Sequence, residues 1–144
     1  MCLVVANVDP GEQRRGLATL LLEKAKQEAR RLGLACVIAP VRPSRRHEKP
    51  GLSFEEYVLL RRDDGLPWDP WLRAHARAGA EQRNICPRSA VVTASVAKWT
   101  AWTGQDYPRS GSYPLEGGLA PLTVDLGTGV GTYVEPNVWF RYRL

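Results

Sequence analysis

The most explicit chemistry in the sequence lies in six residues, Gln13-Arg14-Arg15-Gly16-Leu17-Ala18. They stand between an apolar β-branched run, Leu3 to Val8, and a segment of helical periodicity. A glycine-containing loop that opens a helix after a strand gathers several unsatisfied backbone N–H groups and the positive end of the helix dipole at one point. A pyrophosphate suits that point. Gly16 puts no Cβ in the way of a phosphate, small Ala18 lets the helix sit close to a ligand, and Arg14 and Arg15 add positive charge.

The other reactive side chains are sparse. His75 falls on a stripe with Trp71, Leu72 and Ala78 or Gly79, where packing competes with proton transfer as its role. His47 lies in a basic loop beside Arg45, Arg46 and Glu48, where solvent exposure is expected. No metal-ligand spacing joins either histidine to carboxylates or thiols. The three cysteines, Cys2, Cys36 and Cys86, are an odd number without a CxxC, which supports buried free thiols rather than a disulfide framework. Cys86 lacks the orienting third group and oxyanion loop that a nucleophile needs. Gly127, Gly129 and Gly131 spell GxGxG, yet no long helix follows, so a hairpin turn is the reading. The five tryptophans read as core or pocket wall, with Trp68 and Trp71 candidates for lining a channel.

The elements that must position these groups follow from periodicity. Leu3 to Val8 reads as a strand ended by Asp9-Pro10-Gly11, and Gly16 to Leu32 as an amphipathic helix capped by Gly33 with its leucines and alanines on one face. Leu34 to Val41 reads as a second strand, parallel to the first through a right-handed crossover. The polar loop Arg42 to Gly51 leaves the C-terminal end of that strand, where loops commonly build sites. Ser53 and Glu56 predict a capping box. Asp69 and Pro70 predict the N-cap and first turn of a helix to about Ala78, with Gly79 closing it. Ala90 to Val96 reads as a strand, a short helical piece follows around Trp99, and Leu119 to Leu126 with Gly131 to Arg141 form a closing hairpin.

With 144 residues the chain fits one domain, divided into a βαβ unit to residue 41 and an acceptor-side remainder. Apolar and charged fractions of 44% and 24% exclude a disordered tail, and no apolar run approaches the roughly 20 residues of a membrane helix. The N-terminus has no signal-peptide pattern, which makes the cytoplasm the expected compartment. A charge of +5, with sixteen arginines to four lysines, favours anions with planar oxygen groups such as phosphates. The basic residues come in scattered pairs rather than one run, which argues against a nucleic-acid surface.

The strand, turn, loop and helix resemble motif A of the GNAT acyltransferase superfamily, Q/R-x-x-G-x-G/A. Gln13, Gly16 and Ala18 match it, with Val8 and Pro10 where the family places Val and Pro. The resemblance implies an α/β fold of the acyl-CoA N-acyltransferase kind, a mixed sheet with a central parallel strand pair joined by a helix. The chain would supply its C-terminal part, from the fourth strand on. It further implies that Gln13, Arg14, Arg15, Gly16, Leu17, Ala18 and Thr19 hold the diphosphate of acetyl-CoA or another acyl-CoA. The strand backbone at Ala6 and Val8 would then guide the pantetheine arm. On the family register His75 stands where many members carry a tyrosine that protonates the departing thiolate. Arg42 and Ser44 are the acceptor-side candidates. The stretches Ala39 to Ser44, Asp64 to Ala80 and Tyr133 to Trp139 look similar to a bacterial branch of the superfamily.

The expected activity is transfer of an acyl group from acyl-CoA to a small-molecule amine by direct attack, with no metal. The resemblance also implies strands and helices ahead of residue 3, so the first strand is expected to need upstream sequence, a homodimer or a partner chain at its open edge. Two alternatives stand beside it: a non-catalytic acyltransferase-fold subunit, and a regulatory module that binds acyl-CoA.

Overall fold

A computed structural model describes residues 1–6, 8–12 and 15–144. The chain forms two compact units, one of residues 1–85 and 138–144 and the other of residues 86–137. The α/β class is as the sequence implied, but the central parallel strand pair is not. Cys36–Val41 pairs antiparallel with Val130–Arg143, and Leu122–Asp125 pairs antiparallel with both Gly111–Tyr113 and Val130–Arg143. Parallel contact among the described residues is limited to one isolated bridge.

In the first unit, helix α1 runs over Leu17–Arg31. Its end follows the glycine rule: Gly33 takes φ 68°, its N–H donates to the Arg30 carbonyl, and the Leu34 N–H donates to Ala29, the paired bonds of a Schellman motif. The buried face differs from the expected leucine stripe. Leu22 and Ala29 are buried, while Leu20, Leu21 and Leu32 are exposed. Ala18, Leu22, Ala25, Lys26 and Ala29 share the inward face, where alanines bring the backbone close and Lys26 lays its stem along apolar surface. The Lys26 ammonium reaches the Ala78 carbonyl at 3.0 Å.

Strand β1, Cys36–Val41, alternates half-buried and buried. It pairs antiparallel with the last part of a long strand, β5, Val130–Arg143, so that Val37 faces Tyr142, Ala39 faces Phe140 and Val41 faces Val138. All six are buried, and with Leu22, Tyr57, Val58 and Leu72 they form the core of this unit. Helix α2, Phe54–Leu59, begins at the expected capping box: Ser53 Oγ accepts from the Glu56 N–H at 3.1 Å, and Glu56 accepts from the Ser53 N–H at 2.7 Å. Helix α3, Pro70–Arg77, is N-capped by Asp69 as predicted, and strand β2, Glu81–Ser95, follows it.

The expected strand Leu3 to Val8 is a correction. Parallel pairing is confined to one bridge, Cys2 with Ile38, held by the Leu3 N–H on the Ile38 carbonyl and the Ile38 N–H on the Met1 carbonyl. Beyond it Val4 and Val5 are 78% and 76% exposed. β-branched residues favour a strand through packing against neighbours, and among the described residues none flanks this segment on its outer side. Cys2 is likewise exposed, not buried as expected.

In the second unit, part of β2 leads into helix α4, Val96–Thr103, and then strands β3, Gly111–Tyr113, and β4, Leu122–Asp125. β4 and the start of β5 form the expected antiparallel hairpin. The GxGxG segment is its turn, closed by Asp125, which accepts from the Gly127 N–H and the Thr128 hydroxyl, both at 2.8 Å. The core is Trp99, Tyr107, Leu122, Val124 and Tyr133. Trp99 stacks so near Gly131 that a Cβ there would lie 2.5 Å from its ring, and its indole N–H donates to the Gly131 carbonyl. Trp102, read as core or wall, is 54% exposed, carrying Lys98 over its ring. Strand β2 starts nine residues before the expected Ala90, and β3 was not expected. Polar Glu81, Gln82, Arg83 and Asn84 mask the first stretch, and a three-residue strand leaves no period to read.

Candidate active site

The N-terminus of α1 is open. Gly16 at φ 76° is its N-cap, and among the described residues no side chain caps it. Helix geometry leaves the N–H groups of Leu17, Ala18 and Thr19 outside the intrahelical ladder, and a Cβ on Gly16 would meet nothing within 4 Å. Gly16, Leu17 and Ala18 line a cavity of about 790 Å³ in the first unit, together with Ala6, Val8, Glu12, Ser44 and one stripe of α3. That stripe is Pro70, Trp71, Ala74 and Arg77, which at 1.5 Å per residue spans about 10 Å of wall. Such a volume lies within the range of ordinary ligand sites.

The wall is shaped by one buried carboxylate. Asp69, 2% exposed, accepts at Oδ1 from the N–H groups of Trp71 and Leu72, and at Oδ2 from those of Ser44 and Arg45. The Tyr57 hydroxyl adds a fifth bond at 2.7 Å and the Ser44 hydroxyl a sixth at 3.3 Å, and burial together with the neighbouring carboxylate pushes the Tyr57 pKa up. The cap of α3 therefore also ties down the loop after β1, and sets Ser44 at the cavity. The cap is legible in the sequence but the tie is not, because a separation of 25 positions between Ser44 and Asp69 hides it. Arg45 and Lys49 lie over the two-ring face of Trp68, which packs edge-on against Tyr57 rather than lining the cavity.

The remaining expected site residues divide. Ala6, Val8, Gly16, Leu17, Ala18 and Ser44 converge on the cavity. Thr19 follows them in the first turn of α1, and exposed Arg15 is paired with Glu12. Gln13 and Arg14 lie outside the described residues. Arg42 is exposed and is not among the lining residues, and His47 is exposed as expected. Arg77 was not singled out from the sequence. Its spacing from Trp71 and Ala74 was the available signal.

His75 is buried at 3% exposure, behind the wall that Trp71 forms, with its ring 4.6 Å from that of Trp71. Its Nδ1 is 2.7 Å from the Tyr142 hydroxyl, and among the described residues its Nε2 has no partner. Burial lowers its pKa to about 4 and raises that of Tyr142. The ring is thus neutral at neutral pH. Because the folded pKa lies below the unfolded value of 6.5, the unfolded chain binds the extra proton first, and stability present above pH 6.5 is lost as pH falls through 4. The loss expected from this group is about 3 kcal/mol. His75→Gln keeps an acceptor for Tyr142 without titrating, so urea midpoints of the variant should fall less between pH 7 and pH 4 than those of the wild type. Parallel falls would contradict the buried neutral histidine.

Among the described residues no group of three His, Cys, Asp or Glu side chains could hold a metal ion, and no helix is long and apolar enough to cross a membrane. The model of the Acetyltransferase (GNAT) family matches residues 6–49, which contain the open helix N-terminus and the loop that carries Ser44. The chain is 33% identical over 150 aligned positions to the arginine N-acetyltransferase avaD of Aspergillus versicolor, an alignment covering 92% of this chain and 52% of that protein. It therefore spans about half the length of this relative. The crystal structure of the loading GNATL domain of CurA from Lyngbya majuscula is similar with a TM-score of 0.55 at 29% identity, over 60% of this chain and 44% of that one. Motif, fold and relatives agree, and the chain belongs to the GNAT acetyltransferase superfamily.

Proposed function

We propose that the chain forms the acyl-CoA side of an N-acyltransferase in which an amine attacks the thioester directly. The observation that carries this reading is the uncapped α1 N-terminus, with left-handed Gly16, opening on a cavity of about 790 Å³. The backbone amides from Arg15 to Thr19 hold the coenzyme diphosphate, with Gln13 and Arg14 in the same loop. The backbone at Ala6 and Val8 guides the pantetheine arm. Val4, Val5 and Ala6 make no backbone hydrogen bond among the described residues, which leaves this stretch free to pair with an extended ligand.

In the transfer itself the amine lone pair forms the C–N bond, the carbonyl becomes tetrahedral against a strand N–H, the nitrogen gives up one proton to water, and the C–S bond breaks as sulfur takes a proton. His75, the proton-donor candidate of the family register, is buried behind Trp71 with a neutral ring far less acidic than a thiol, so in this reading sulfur takes its proton from water. Arg42 and Ser44 lie on the acceptor side. The printed name of the fungal relative makes L-arginine the first acceptor to try.

Titration calorimetry with acetyl-CoA, followed by thiol release with L-arginine and then a panel of amines, tests the reading. Micromolar binding with release is the expected result. Binding without release for any amine marks an acyl-CoA-binding module instead, and absence of binding refutes both.

A further inference from the structure

Arg77 is the charged group of the cavity that the fold leaves unused. It stands in the last turn of α3 and lines the cavity with Trp71 and Ala74. Among the described residues its guanidinium has neither an ion-pair partner nor a hydrogen bond. Arg73, one turn earlier on the same helix, donates instead to the Pro67 and Trp68 carbonyls at 3.0 and 2.7 Å. The carboxylate on the cavity wall, Glu12, is already matched by Arg15. The wall therefore presents one uncommitted guanidinium, and a planar fork of N–H donors fits phosphoryl oxygens in bidentate fashion.

We infer that Arg77 binds a phosphoryl group of the ligand that enters this cavity and thereby sets its selectivity for a phosphorylated acyl carrier. The inference rests on the proposed coenzyme-binding function and adds the residue that reads the anion from the α3 wall. Two phosphoryl sources share this chemistry, the diphosphate and the ribose phosphate of coenzyme A. A structural role alone, a cation complementing the C-terminal end of α3, would change stability slightly and affinity not at all.

Calorimetric titration of wild type, Arg77→Gln and Arg77→Lys with coenzyme A, dephospho-coenzyme A and pantetheine decides the matter. Arg77→Gln should weaken coenzyme A about tenfold, the loss of one charge-assisted contact, with Lys between the two. Pantetheine, without phosphoryl groups, should bind all three proteins alike. If the weakening persists with dephospho-coenzyme A, the diphosphate is the group read; if it disappears, the ribose phosphate is. Equal coenzyme A affinity in wild type and Arg77→Gln overturns the inference while leaving the proposed function standing, as does an equal loss for pantetheine. Wild type that binds no coenzyme A overturns both. Thermal midpoints within a few degrees of wild type certify that the variants are folded.

Discussion

Gly16→Trp is expected to abolish acetyl-CoA binding, by at least about a hundredfold in Kd, while leaving a folded protein. A Cβ at this position points into open space, so an indole placed there meets no wall of the protein. It fills the region in front of the free N–H groups of Leu17 and Ala18, where the diphosphate is proposed to lie. The substitution also forces an L side chain to φ 76°, at about 1–2 kcal/mol of backbone strain. Gly16→Ala carries the same strain but a single methyl. Comparing the two by calorimetry and by urea unfolding separates occlusion from strain: both should lose similar stability, and the tryptophan variant should lose far more affinity. A tryptophan variant that binds acetyl-CoA as tightly as wild type would remove this helix mouth from the site.

Asp69→Ala should produce the largest loss of stability of any single substitution considered, about 3–5 kcal/mol by urea unfolding. The carboxylate accepts from four backbone N–H groups and the Tyr57 and Ser44 hydroxyls in a buried setting, and alanine leaves all six donors without it. Asn restores the shape but turns an NH2 group toward one pair of donors, so Asp69→Asn should recover only part of the loss. The functional consequence follows from position. Released from Asp69, the loop at Ser44 no longer has a fixed place at the cavity wall, and affinity for acetyl-CoA should fall along with stability. A loss below about 1 kcal/mol for the alanine variant would show that other groups satisfy those donors.

Much of this architecture was legible from local signals. The helix from Leu17, its glycine stop, the Ser53–Glu56 box, the Asp69-Pro70 start of α3 and the glycine turn before β5 are each written in residues a few positions apart. Where the sequence reading failed, the missing information was a neighbour. Leu3 to Val8 has the composition of a strand, but composition does not supply a second strand on its open side. The leucines of α1 looked like its core face. Alanines and Lys26 take that place because β1 packs closely on this face, which small side chains allow, and Lys26 reaches the Ala78 carbonyl at the end of α3.

The sequence by itself determined the open helix mouth, since Gly16 and the residues after it fix both the left-handed cap and the free amides through local geometry alone. Only the tertiary structure decided what shares that space. Arg77 and Ser44 reach the cavity, and His75 is withdrawn behind Trp71 beside Tyr142, because side chains 25 to 67 residues apart settle their positions by burial and hydrogen bonding. Local propensity carries no record of such partners, whereas the cost of leaving a buried polar group unmatched selects them once the chain is packed.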